Sequence, residues 1–189
     1  MGLPYAPSAV ANEFLERAGK ASRTLTPMQL LKLTYITHGW NLAVTHLPLF
    51  DESVQAWRYG PVIPSLFHEF KEFGGNPITK LSELVKFPDA FGTGSDPFAG
   101  EIVIEKPFLD EGDKDRLELI DWVWSKYGAY SGSQLSKMTH EQGTPWSNAV
   151  ADMKRIHPEK SWVSGWKIEN DEIKKHFNLL WEKVRGHAF

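Results

Sequence analysis

The chain has 189 residues, 41% of them hydrophobic, with 8 Trp and 11 Phe, a formal charge of −3 and a pI near 6.2. That length and apolar content exclude a largely disordered chain, since a fold of this size removes roughly 70% of its unfolded surface from water and each buried aromatic withdraws on the order of 150–250 Å². The acidic balance gives no electrostatic drive toward nucleic acid, zero cysteines exclude disulfides and thiolate metal sites, and no apolar run approaches the roughly 20 residues that span a bilayer.

The opening MGLPYAPSAV lacks the basic start and apolar stretch of a signal peptide, so the expectation is a cytoplasmic protein with no membrane partner. Ser8 is read as the cap of a first helix through about Ala18, with Val10, Phe14 and Leu15 as its stripe and Gly19 as its end. Thr26-Pro27 is a stronger start, because Thr accepts from free helix N–H groups and Pro has no N–H to lose at the first position. That second helix is expected to reach about Val44, with Leu30, Leu33, Thr37, Trp40 and Val44 on its core face.

Three prolines and a glycine between His46 and Pro64 forbid a long helix there, while Ser53 to Trp57 reads as a short strand. A third helix is expected from about Pro61 to Phe73, burying Leu66, Phe67, Phe70 and Phe73. The stretch FGTGSDPFAG, residues 91–100, reads as a loop, and Glu101 to Glu105 alternates as a brief strand. Asp110 or Asp113 starts a fourth helix with Leu117, Ile120, Val123, Trp124 and Tyr127 on one face, ended by Gly128. Ser131 opens a fifth carrying Leu135, Met138 and Thr139, and Thr144-Pro145 opens a shorter one to about Ala151. Asn170 caps the last helix, striped by Ile173, Phe177, Leu180, Trp181 and Val184. With no internal repeat and no linker, residues 1–189 are expected to form a single, mainly α domain with a few short strands. Its core should include Leu33, Trp40, Phe70, Ile120, Trp124, Phe177 and Trp181.

No catalytic pattern emerges. His68-Glu69 and His140-Glu141 lack the second His that a zinc helix needs four residues after the first, and no Gly-x-Ser-x-Gly elbow or phosphate-cradling glycine motif occurs. Neither a metal nor another cofactor is expected. His38 reads as a core histidine bonded to a neighbouring segment, and Ser133 and Ser136 as ordinary helix positions.

Three segments carry a family likeness: Leu30-Leu31-Lys32-Leu33 with Tyr35 and His38-Gly39-Trp40; Pro48-Leu49-Phe50-Asp51-Glu52 with Ala56-Trp57-Arg58-Tyr59-Gly60-Pro61-Val62 and Pro64; and Trp124, Tyr127-Gly128, Ser131, Leu135-Ser136, Thr139-His140 and Pro145-Trp146. In order and spacing these resemble the Panacea domain over about residues 27–146. That family comprises antitoxins of SocA-like and phage-associated GepA-like type. The resemblance implies an antitoxin of a toxin–antitoxin system that is not an enzyme and neutralises a cognate toxin by direct protein–protein binding. Alternatives are a proteolytic adaptor delivering its client to a ClpXP-type protease, and an uncharacterised hydrolase. The stretch before residue 27 is too short for a separate DNA-binding module.

Trp, Tyr and Arg are the residues most enriched at binding hot spots, so Trp57, Arg58 and Tyr59 beside the Gly60-Pro61 turn form the first candidate contact surface. Pro145 and Trp146 form a second. The competing reading makes both clusters scaffold, with Arg58 paired to a carboxylate and the rings covering helix ends.

Overall fold

The computed structural model describes residues 4–86 and 102–186. Among them are seven α-helices and two antiparallel two-stranded ribbons, so the mainly α expectation holds. The 91–100 stretch and Glu101 lie outside the described residues, as does the side chain of Val184.

Helix α2 (Pro27–Thr45) is the axis of the fold. Its start follows the local chemistry: Thr26 Oγ1 accepts from Gln29 N–H, the Gln29 side chain accepts from Thr26 N–H at 3.0 Å, and Pro27 takes the first position. Every residue from Leu30 to Ala43 is buried, because α1 (Pro7–Lys20), α4 (Lys114–Tyr127), α5 (Gly132–His140) and α7 (Asn170–Gly186) all pack around it. A helix enclosed on all sides has no polar face. Several of its polar groups are satisfied inward, as when Thr34 and Thr37 donate to the carbonyls of Leu30 and Leu33 at 2.9 and 2.8 Å. Of the predicted stripe only Val44 fails, at 55% exposed, where the helix leaves the core and ends on His46 in the left-handed region at φ 61°.

Helix α1 begins at Pro7 with no side-chain cap, so Ser8 lies inside the helix rather than capping it. Val10 and Phe14 are fully buried, and Asn12 ties the loops that flank the second ribbon, donating to the Ser82 and Pro107 carbonyls and accepting from Ser82 N–H at 2.7 Å. That ribbon pairs β3 (Leu84–Lys86) with β4 (Val103–Glu105) and leaves Val85, Val103 and Ile104 exposed.

The first ribbon corrects the expected third helix. Gly60–Val62 forms β2, pairing antiparallel with β1 (Gln55–Trp57) in the register Gln55–Val62, Ala56–Pro61 and Trp57–Gly60. Helix α3 therefore starts at Pro64, runs to Phe70 and continues as a 3₁₀ turn through Phe73. The outer edge of β1 is also covered, since Ala56 N–H donates to Trp166 O and Ile168 N–H to Val54 O, both at 2.8 Å. Pairing on both edges outweighs the helix-start signal of Pro61.

Helices α4, α5 and α6 (Pro145–Ile156) begin at Asp113, Ser131 and Thr144, each side chain accepting from the backbone three residues on. Leu33, Trp40, Phe70, Ile120 and Phe177 are buried as expected. Two predicted core residues are not. Trp124 is half-buried because it is held between Phe14 and the Arg23 guanidinium, which lies 5.2 Å from its ring. Trp181 is 39% exposed because α7 turns it to the rim, where its ring meets the edge of Trp40. Among the described residues no helix is long and apolar enough to cross a membrane.

Candidate partner-binding site at the first hairpin turn

Arg58 and Tyr59 form the two-residue connection between β1 and β2. The turn closes on Gly60 at φ +104°, a conformation that side-chain-bearing residues rarely adopt. Space demands glycine as well: a Cβ there would stand 2.5 Å from Lys32 Nζ and 2.9 Å from His140 Cε1.

Three carbonyls of this short segment each accept from a side chain on a different helix. Lys32 Nζ from α2 donates to Pro61 O at 2.9 Å, Trp146 Nε1 from α6 to Trp57 O at 2.8 Å, and Ser136 Oγ from α5 to Tyr59 O at 3.3 Å. His140 completes the support, its ring 3.9 Å from that of Trp146 and its Nδ1 donating to Ser136 O at 2.5 Å. The Trp57 ring lies edge-on to Phe67 at 4.7 Å, and its Nε1 donates to Gln55 Oε1. The turn is thus fixed by groups from four elements.

The candidates divide by exposure. Trp57 and Trp146 are half-buried and Pro145 is buried as the first residue of α6, whereas Arg58 is exposed and Tyr59 is 69% exposed. Among the described residues Arg58 meets no carboxylate and makes no hydrogen bond. Trp146 therefore joins the two clusters, with Trp57 and Trp146 supporting the turn, Arg58 and Tyr59 as its outward face, and Pro145 serving as the start of α6.

Lys32, Ser136, His140 and Gly60 complete the site; all four fall in the segments of the family likeness, but none is among the candidate contact residues read from the sequence. For Lys32 a signal existed, since one lysine inside the apolar run from Leu30 to Leu33 interrupts a core helix. Its side chain is 0% exposed and among the described residues has no carboxylate partner, so burial pushes the ammonium down to about 7. His38 lies elsewhere on α2, stacked on Phe50 and bonded through Nε2 to Asn170 Oδ1 at 3.0 Å, and burial lowers it to about 4. Among the described residues no group of three His, Asp or Glu side chains gathers as a metal site.

Residues 30–147, which contain this turn and all of its supports, match the family described as antitoxin SocA-like, Panacea domain. The chain belongs to that family. It is similar to antitoxin SocA of Caulobacter vibrioides (strain NA1000 / CB15N), with 31% identity over 138 residues, 73% of this chain and 66% of that relative. The chain thus spans just under two thirds of the relative's length. No solved structure matches.

Proposed function

We propose that this protein is a cytoplasmic antitoxin that neutralises a cognate toxin by binding it, without catalysis, and that the Arg58–Tyr59 turn is the anchor of the contact. The observation that carries the reading is the family match over residues 30–147, a span that includes the turn and every group holding it. An exposed Arg–Tyr pair on a braced turn suits a hot spot, because little conformational entropy remains to be lost when a partner docks. Nucleic acid is not an expected partner for a chain of net charge −3.

The test is co-expression with the protein encoded by the neighbouring reading frame. Growth should be restored and the two proteins should co-purify. Neutralisation by masking leaves the toxin's half-life unchanged, whereas an adaptor role shortens it only in cells that contain a ClpXP-type protease. Growth arrest that persists despite abundant soluble antitoxin rejects the reading.

A further inference from the structure

Lys32 is an expensive residue to keep where it stands. An ammonium removed from water needs an anion or a full set of acceptors, and among the described residues it has one carbonyl, Pro61 O, for three protons. The titratable group facing it is His140 of α5, which approaches the same point above Gly60 and supplies no negative charge. Burial accounts for the lowered affinity of Lys32 for its proton, and among the described residues no charged group offsets the cost. The ammonium sits against the backbone of the turn, since a Cβ on Gly60 would stand 2.5 Å from Lys32 Nζ. Arg58, in the same turn, is exposed and among the described residues meets no carboxylate. Other cations stand on the elements around the turn: Lys137 on α5 and Lys167 opposite Gln55 are both exposed. Of the acids on these elements, Glu52 is bonded to Ser65 N–H and Oγ, and Glu69 of α3 and Glu141 at the end of α5 are further carboxylates.

We propose that the turn receives a carboxylate-bearing segment of the partner protein, with Arg58 meeting the carboxylate from outside and Lys32 supplying a positive charge from behind Gly60. The inference rests on the antitoxin reading and names the chemistry of the surface it binds. A docked carboxylate displaces water over the turn, which lowers the local dielectric and lengthens the reach of the buried charge. The complex then favours protonated Lys32, so binding takes up a proton. In the free protein Lys32 titrates near pH 7, and the partner raises that value. Affinity is therefore greatest below pH 7 and falls as pH rises through 7, by at most about tenfold per pH unit for one linked proton. Arg58 is solvent-exposed, so its share weakens with salt.

The experiment is calorimetry with an inactive variant of the protein encoded beside this gene, at pH 6 and pH 8, at low and high salt, and in two buffers of different ionisation enthalpy. Wild type should bind more weakly at pH 8 and show net proton uptake. Arg58→Ala should lose about thirtyfold in affinity together with most of the salt dependence. Lys32→Met, checked for an intact fold by its circular dichroism, should bind with a flatter pH profile and no proton uptake. The wild-type proton uptake stands as a test even if Lys32→Met misfolds. Tight wild-type binding that is indifferent to pH, salt and Arg58→Ala overturns this inference and leaves the antitoxin reading intact. Complete absence of wild-type binding overturns both.

Discussion

Gly39 of α2 is the seat of the Phe177 ring of α7: a Cβ on Gly39 would fall 2.2 Å from Phe177 Cε2. The same ring meets Trp40 edge-on at 5.2 Å and Tyr35 at 6.1 Å, so the closest approach of α7 to the central helix depends on one missing methyl group. Gly39→Ala gains about 1 kcal/mol of helix propensity but forces an overpacked contact costing roughly 1–3 kcal/mol. With three ring atoms at 2.5 Å or less, the cost falls in the upper part of that range, and denaturant titration should find a net loss of about 1–2 kcal/mol. Gly19→Ala on α1, with nothing within 4 Å, should instead be neutral or stabilising.

His38 makes stability depend on acid. Its folded value of about 4 lies below the ordinary 6.5, so the native state binds fewer protons than the unfolded chain between those values. The stabilisation is complete above pH 6.5 and is lost as pH falls toward 4, by up to about 3 kcal/mol. Burial depresses His176 in the same direction. Urea midpoints at pH 7, 5.5 and 4.5 should fall progressively, and His38→Gln should flatten part of that slope.

Lys32 carries the same sign in a higher window. Its folded value of about 7 against an ordinary 10.5 means that the native state binds fewer protons across that range, so stability rises with pH between them. Lys32→Met removes an ammonium penalty of at most roughly 5 kcal/mol, partly offset by the orphaned Pro61 carbonyl. The variant should melt higher than wild type at pH 6.5, with a margin that narrows toward pH 10. A lower melting temperature at both pH values would show that the Pro61 bond outweighs the buried charge.

Phe14 and Trp124 touch with ring centroids 6.5 Å apart but differ in burial. Phe14→Ala leaves a cavity in the core and should cost about 3–5 kcal/mol. Trp124→Ala opens a site that water reaches, and it should cost less, about 2 kcal/mol, including loss of the Arg23 contact. Chemical denaturation of the two variants side by side checks the order.

At the turn, Arg58→Ala and Tyr59→Ala should leave the melting temperature within about a degree or two of wild type, because neither side chain supports the fold. Each should weaken toxin binding by about 2 kcal/mol. Trp146→Ala reverses the pattern, since it removes the donor to Trp57 O and the ring against His140. It should lower stability first and affinity through the loosened turn. Thermal melts and affinities measured on the same preparations separate the two classes.

The sequence by itself determined where most helices begin, because capping is short-range chemistry. Thr26 with Gln29, Ser131 with Gln134, and Thr144 before Pro145 each carry their signal within four residues, and each is a helix start in the structure. It also marked Trp57, Arg58, Tyr59, Pro145 and Trp146, by residue type and family likeness. Tertiary structure decided the rest. Pro61 reads locally as a helix start but is a strand residue, because β1 and the Lys32 ammonium claim it. Gly39 reads as a weak point in a helix and is a packing seat for Phe177. The turn's carbonyl partners lie 29, 77 and 89 positions away in the chain, and His38 finds Asn170 across 132. Bonds at such separations leave no periodicity to read, since they exist only once α5 and α7 have closed around α2 and α6 has packed on α5 and β1.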